Sequence, residues 1–174
     1  MDRFIGETVL STDQVREGIG RVAEAINRDY LSAVVITVVP GGILTTADLV
    51  RQLTFQIEMD YISCPHTPGE RDNASPISYP QTIPIAGRNV IVVDDAIESG
   101  ATMRRLVTHL ATFQPASVSV ATLFVKPGRV EIPAREYFAF EMDSDELLVG
   151  FGLPWQDRLR NLPYVARLRP EGGR

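Results

Sequence analysis

Two adjacent acids, Asp94 and Asp95, directly follow the apolar run Asn89–Val93, which has the β-branched composition of a buried strand. Ligands of parallel sheets bind at the carboxyl ends of strands, where acids can accept hydrogen bonds from sugar hydroxyls or hold magnesium through water. The turn Glu98–Thr102 then opens a predicted helix. Its free backbone N–H groups and two hydroxyl side chains form a cradle for phosphate. Acids for a sugar and amides for a phosphate indicate a site for a ribose 5-phosphate.

The same residues have a simpler interpretation, in which the acids solvate a strand end and the turn only caps a helix. That interpretation would be preferred for an isolated Asp-Asp pair. The apolar strand before the acids, and the Ser-Gly-Ala-Thr turn and helix after them, favour ligand binding.

The elements that must position this site alternate along the chain. Hydrophobic periodicity predicts helices at Ser11–Tyr30, Thr46–Leu53 and Met103–Ala111, and Ser11 with Gln14 resembles a capping box. It predicts strands at Ala33–Val39, Gln56–Ser63, Asn89–Val93 and Ala116–Val125, and short strand-like pieces at Tyr137–Phe140, Leu147–Phe151 and Tyr164–Leu168. This order predicts an α/β domain with a largely parallel central sheet flanked by helices.

Composition adds broad limits. The 174 residues carry a net charge of −5, which gives no reason to expect nucleic acid as the main partner. The single cysteine, Cys64, excludes an intrachain disulfide. No apolar run is long enough to span a bilayer, and the first residues lack the pattern of a signal peptide, so we expect no membrane partner and a cytoplasmic location. The proline-rich stretch Pro65–Ala86 is either a surface hairpin or linker, or a mobile lid.

The motif Val92–Thr102 resembles the 5-phosphoribosyl-1-pyrophosphate (PRPP) signature of type I phosphoribosyltransferases. Further segments resemble hypoxanthine-guanine phosphoribosyltransferases in the family's order, from about Val9 to Leu168: Val39–Leu49, Glu58–Ser63, Phe124–Arg129, Val149–Leu153 and Arg158–Pro163. The resemblance implies one type I phosphoribosyltransferase-like domain over residues 1–174. Its core would span about 9–135, a flexible lid about 64–87, and a small C-terminal hood about 136–170.

The resemblance also implies roles for individual residues. Asp94 and Asp95 would hold the ribose hydroxyls and, through water, Mg²⁺, while Glu98 would handle a purine proton and Arg160 would add positive charge to pyrophosphate. Lys126 would donate to the 6-oxo group of the purine, although it could also be an ordinary surface lysine. The remaining contacts to PRPP would come from Pro40, Gly41, Gly42, Ala96, Ser99, Gly100, Ala101 and Thr102, and those to the purine from Leu147 and Leu148.

Several positions depart from the family pattern. Glu98 stands where the family has Asp, and Ala101 where a basic residue is common. Leu147 replaces an aromatic ring over the purine, and Pro154 replaces an Asp that holds a second magnesium, with Asp157 nearby. Pro65-His66-Thr67 replaces the Ser-Tyr pair that begins the lid.

Pro40 stands in a loop where the family has a strained cis peptide before a non-proline residue, commonly lysine. A cis bond is far less costly before proline than before other residues, so the sequence predicts that the Val39–Pro40 peptide is cis. Proline there loses the lysine charge and one N–H donor.

Three functions remain open on these grounds. The first is a purine-salvage enzyme that transfers the phosphoribosyl group of PRPP to a 6-oxopurine (hypoxanthine or guanine) and releases pyrophosphate. The second is a regulatory protein that binds PRPP or a purine nucleotide with little turnover, and the third is a transferase for a different base. Relatives imply a homodimer or homotetramer.

Overall fold

The computed structural model of the protein describes residues 4–65, 73–142 and 145–169. The strands are β1 (Ile5–Leu10), β2 (Ser32–Val38), β3 (Gln56–Ile62), β4 (Asn89–Ile97), β5 (Ser117–Val125), β6 (Arg135–Glu141), β7 (Leu148–Val149) and β8 (Val165–Leu168). The helices are α1 (Thr12–Asp29), α2 (Ile43–Val50) and α3 (Ala101–Ala111). No helix in the described ranges has the length and apolar character needed to cross a membrane.

The main sheet has five parallel strands in the order β3-β2-β4-β5-β6. Its central strands are apolar on both faces because helices cover both sides. Alternate residues of β4 separate two core clusters: Ile91 and Val93 pack with α1 and α2, whereas Val90 and Val92 pack with α3. The predicted α/β fold with a largely parallel sheet is confirmed.

Helix α1 follows the sequence prediction closely. Ser11 is its N-cap, and a capping box joins the Ser11 hydroxyl to the Gln14 N–H and the Gln14 side chain to the Ser11 N–H. Such a cap stabilises a helix by about 1 kcal/mol. The buried face includes Val15, Ile19 and Ile26, as the periodicity predicts.

The other helices differ from the prediction at their ends. Helix α2 spans Ile43–Val50, three residues earlier than predicted, because its N-cap, Gly42, comes directly after the turn that follows β2. Helix α3 begins at Ala101, two residues before Met103, because Gly100 adopts a left-handed conformation (φ +82°) that lets the chain enter the helix there.

A second, three-stranded antiparallel sheet in the order β1-β8-β7 forms the hood. The strand β1 was not predicted, and it places the N-terminal segment in the hood rather than before the core. Strand β6, in contrast, pairs with β5 in the main sheet. The main sheet therefore continues to Glu141, past the boundary between core and hood that was predicted at about residue 136.

The predicted lid, 64–87, lies partly outside the described residues, as do His66 and Thr67. The segment from 73 onward returns to the core without forming a strand. Ser63 and Ser78 exchange two backbone hydrogen bonds of 2.9 and 2.8 Å, and the Asp60 carboxylate accepts from the Ile83 N–H at 3.0 Å. These contacts attach the returning chain to the end of β3.

Candidate active site

The two acids lie inside β4 rather than after its end. Pairing of β4 with β2 stops at Val93, but pairing with β5 continues from Asp94 to Ile97. This happens because β2 ends at Val38 and the chain turns away into the loop at Pro40, while β5 remains beside β4. Asp94 and Asp95 are therefore held by one strand neighbour and face the space that β2 has left.

The loop Pro40–Gly42 fills part of that space. Its Val39–Pro40 peptide is cis, as the sequence predicts. A β-carbon on Gly41 would lie 2.7 Å from Oδ2 of Asp95 and 3.1 Å from Oδ1 of Asp94, and one on Gly42 would lie 2.4 Å from the Val93 carbonyl oxygen. The loop backbone thus lies directly against the acids, in a place that no larger residue fits.

The segment between β7 and β8 closes the same site from the hood. Gly152 has φ +99°, and a β-carbon there would lie 2.5 Å from the Gly41 carbonyl oxygen. Arg160 donates to the Gly152 carbonyl at 2.7 Å, and its Nη1 lies 3.9 Å from Oδ2 of Asp95. Three segments far apart in sequence therefore meet at Asp95.

The electrostatics of the acids follow from this enclosure. Burial raises the pKa of Asp94 well above its ordinary value, and the adjacent charge of Asp95 raises it further. Burial also raises the pKa of Asp95, although a hydrogen bond from its partner acid and the Arg160 cation oppose the rise. An enclosed pair of acids beside Arg160 is a place where additional positive charge would be stabilised.

The turn after the acids has the form of an anion cradle. Among the described residues the N-cap of α3 is Gly100, which has no side chain to cap the helix, although the neighbouring Ser99 hydroxyl accepts from the Ala101 N–H at 3.3 Å. The Val130 N–H donates to the Ser99 carbonyl at 2.8 Å, which fixes the turn against the segment between β5 and β6. The remaining N–H groups of the first turn and the helix dipole favour a phosphate at this position.

Lys126 and Glu98 stand side by side beyond β4 and β5. Their Nζ and Oε2 atoms lie 3.6 Å apart, and the Lys126 N–H donates to the Ile97 carbonyl at 2.9 Å. The Arg129 guanidinium donates to the Lys126 carbonyl at 2.9 Å, so the lysine backbone is held from both sides. The Glu98 side chain is 70% exposed, which leaves its carboxylate accessible to a ligand.

Other predicted residues lie at the margin. Ala96 is half-buried in β4 and donates its N–H to Asp95 at 2.7 Å. Leu148 is half-buried against the core, whereas Leu147 is 61% exposed at the start of β7, so their contact with a purine stays a prediction. Pro154 is exposed, and Asp157 pairs with Arg160 at 3.5 Å.

Sequence reasoning missed two residues at this site. Gly152 was not assigned a role, although the Gly-Phe-Gly pattern around it signals unusual backbone. Asn73, which contacts Thr102 at 3.2 Å, had no signal in the proline-rich segment.

Comparison with known proteins agrees with this geometry. The family model of the phosphoribosyl transferase domain matches residues 7–156. A hypoxanthine-guanine phosphoribosyltransferase from Streptococcus pneumoniae is 30% identical over 98% of this chain and 97% of that protein.

Solved structures are similar over the same length. A hypoxanthine-guanine phosphoribosyltransferase from Bacillus anthracis is 34% identical, with a TM-score of 0.82 over 95% of this chain and 99% of that one. A hypoxanthine phosphoribosyltransferase from Trypanosoma cruzi is 26% identical, with a TM-score of 0.87 over 98% of this chain and 95% of that one. Matched along nearly its whole length in sequence and in structure, the chain belongs to the hypoxanthine-guanine phosphoribosyltransferases.

Proposed function

We propose that this protein transfers the phosphoribosyl group of PRPP to a 6-oxopurine, hypoxanthine or guanine, and releases pyrophosphate in purine salvage. The observation that carries the proposal is the meeting of Asp95 with Gly41 of one loop and Arg160 of another. The ribose of PRPP carries both hydroxyls and pyrophosphate. Its hydroxyls require oxygen acceptors, and its pyrophosphate requires an open backbone and a cation.

The 5′-phosphate would bind in the turn Glu98–Thr102, where the start of α3 would supply backbone N–H groups and Ser99 and Thr102 would supply hydroxyls. Gly100 and Ala101 contribute backbone only, which allows a phosphate to approach closely. Asp94 and Asp95 would accept hydrogen bonds from the ribose hydroxyls. These contacts fix both ends of the ribose phosphate and leave its anomeric carbon accessible.

Pyrophosphate would lie between the loop at Pro40 and Arg160. The Gly42 N–H already donates to the Val38 carbonyl at 2.8 Å, so the Gly41 N–H is the better placed donor. Gly42 would then act by leaving room rather than by donating. The Arg160 cation would stabilise the negative charge that grows on the leaving pyrophosphate.

The purine would lie at the end of β5. Lys126 would donate to the 6-oxo oxygen, and Leu147 and Leu148 would give apolar contact to the base. Glu98, 3.6 Å from the lysine, would accept or shuttle the proton on the purine ring. Its carboxylate sits on a longer side chain than the family's Asp, so its reach differs while its acid chemistry is the same.

Mg²⁺ fits the acids but not as a cage made by the protein alone. In residues 4–65, 73–142 and 145–169, no three acid, histidine or cysteine side chains form a metal-binding cluster. Asp94 and Asp95 would therefore hold the ion through water, with the remaining oxygens supplied by PRPP. The bound ion would neutralise charge on pyrophosphate. We further propose a cytoplasmic homodimer or homotetramer.

The test is pyrophosphate release from PRPP and Mg²⁺ with hypoxanthine, guanine, xanthine or adenine. We expect turnover with hypoxanthine or guanine that stops when EDTA removes the metal. Turnover with adenine alone would contradict the proposed base. Binding of PRPP without release of pyrophosphate for any base would identify a regulatory protein instead.

A further inference from the structure

A buried amide reaches the phosphate turn from the segment that returns after residue 72. Asn73 is 3% exposed, and its Nδ2 lies 3.2 Å from Oγ1 of Thr102 and 3.4 Å from the carbonyl oxygen of Cys64. Its Oδ1 accepts from the Ser75 N–H at 3.0 Å. Thr102 is one of the hydroxyls of the proposed 5′-phosphate cradle, so Asn73 touches a ligand-binding residue from behind.

The two backbone partners fix which end of the amide faces Thr102. The Ser75 N–H can only donate and the Cys64 carbonyl can only accept, so the oxygen must face Ser75 and the nitrogen must face Cys64. Turning the amide over would place two donors together at Ser75 and two acceptors together at Cys64. Asn73 is therefore a donor toward Thr102.

This direction decides what the threonine hydroxyl can do. A hydroxyl has one proton to donate and lone pairs to accept with. Since the Thr102 oxygen accepts the Asn73 N–H, its own proton is directed away from Asn73. Thr102 is half-buried in the first turn of α3, beside the N–H groups of the cradle, and an anion bound there is the acceptor for that proton.

Arg105 holds Asn73 in place. Its guanidinium donates to the carbonyl of Asn73, to the carbonyl of Ser75 at 2.9 Å and toward Sγ of Cys64 at 3.5 Å. Arg105 follows Thr102 by three residues, so both side chains leave the same face of α3. The helix that supplies the phosphate site thereby also clamps the amide that orients it.

We propose that Asn73 is a positioning residue that directs the Thr102 hydroxyl proton to the 5′-phosphate of the phosphoribosyl ligand. The proposal rests on the proposed function, because it requires a phosphate monoester in the turn Glu98–Thr102. It predicts that Asn73 acts on phosphate affinity through Thr102 and not through the general stability of the fold.

The test is a double-mutant cycle on the full chain, with binding of Mg²⁺-PRPP, ribose 5-phosphate and pyrophosphate measured by calorimetry. N73A is expected to lower the affinity for PRPP and for ribose 5-phosphate by about tenfold, which is the contribution of one hydrogen bond to a charged group. The affinity for pyrophosphate should not change. T102V should lower the affinity for PRPP and ribose 5-phosphate by a similar factor. Adding N73A to T102V should change ribose 5-phosphate affinity by less than about twofold.

The matched control is N27A. Asn27 also donates to a backbone carbonyl, that of Gln52, and accepts from a backbone N–H, that of Thr54, but it lies on α1 away from the turn. We expect it to lower the melting temperature without changing ligand affinity. If N73A does not fold, N73S replaces it, since serine can still accept from Ser75 but is one atom too short for Thr102.

The outcomes separate the two proposals. Equal losses from the Asn73 change with and without the Thr102 hydroxyl, or equal losses for pyrophosphate and ribose 5-phosphate, would overturn the positioning role. Full affinity in T102V would overturn it too, while leaving the transferase proposal intact. A wild-type protein that binds no PRPP would overturn both.

Discussion

Gly41 lies so close to Asp95 that a β-carbon on the glycine would approach the carboxylate oxygen to 2.7 Å. Gly41 lies in the loop after β2 and Asp95 lies inside β4, and the same β-carbon would lie 3.1 Å from Oδ1 of Asp94. The loop after β2 and the acids of β4 are therefore one surface.

Replacing Gly41 with alanine should damage catalysis more than stability. The added methyl must displace either the loop or Asp95, and a shift of about 1 Å in a catalytic group can cost about a hundredfold in rate. We expect kcat/KM for pyrophosphate release to fall by about that factor. The control is G20A on α1, where the new β-carbon meets only Oε1 of Gln52 at 3.4 Å. G20A should keep full activity and stabilise the fold by about 0.5–1 kcal/mol.

Replacing Arg160 with glutamine should weaken the binding of pyrophosphate and PRPP and leave the binding of free purine unchanged. The loss of one cation beside the ligand corresponds to about tenfold to a hundredfold in affinity, and the difference should shrink as salt rises. Calorimetry at two salt concentrations measures both effects. R158Q is the matched control, because Arg158 is exposed two residues away. Equal losses in the two variants would mean that only net charge matters.

Replacing Glu98 with glutamine should remove a proton acceptor without preventing the binding of PRPP. We expect kcat to fall by about a hundredfold, the lower range for a general acid or base, with little change in PRPP affinity. Pyrophosphate release and calorimetry give the two values. E24Q, an exposed change on α1, should leave both unaltered. If E98Q kept full turnover, the proton would have to leave by another route.

Asp60 provides a pH-dependent contribution to stability. Burial alone would raise its pKa, but hydrogen bonds from the N–H groups of Ile83 and Tyr61 and from the Thr82 hydroxyl outweigh burial and lower it. A lowered folded pKa gives stability that is full above the unfolded value, about pH 4, and is lost as the pH falls through the folded value.

The D60N variant should therefore lose about 2 kcal/mol of unfolding free energy at neutral pH, and its deficit should shrink below about pH 4. Urea unfolding at pH 7 and at successively lower pH measures this. D48N is the control, since the Asp48 carboxylate pairs with Arg51 near the surface and the variant should lose less than about 1 kcal/mol. A deficit that is the same at every pH would contradict the assignment.

Local signals in the sequence were sufficient for much of the fold. The capping box at Ser11, the β-branched strand β2 and the cis peptide before Pro40 are each decided by neighbouring residues, and the structure has them where expected. The strand β1 was missed because its pairing partner, Leu168, lies at the opposite end of the chain from Ile5. Only its last residue, Leu10, is buried, so no clear alternation marks it.

Some of the residues that the structure brings together at the candidate site can be found from the sequence, and others cannot. The acids and the phosphate turn are contiguous, and their chemistry can be read from one segment. The end of β4 could not be read, because it depends on β5 remaining paired after β2 has turned away. Gly152 and Asn73 reach the site from distant segments, and their role depends on contacts that no local pattern encodes.

The hood sheet has a consequence for how the two halves of the chain depend on each other. Strand β1 pairs with β8, and the Arg169 N–H donates to the Phe4 carbonyl at 2.9 Å, so the first described residues brace the segment that carries Arg160. A destabilising substitution near the amino terminus would then lower the affinity for pyrophosphate, although every residue that contacts the ligand is unchanged. A reader who considers only the signature motif would classify such substitutions as harmless surface changes.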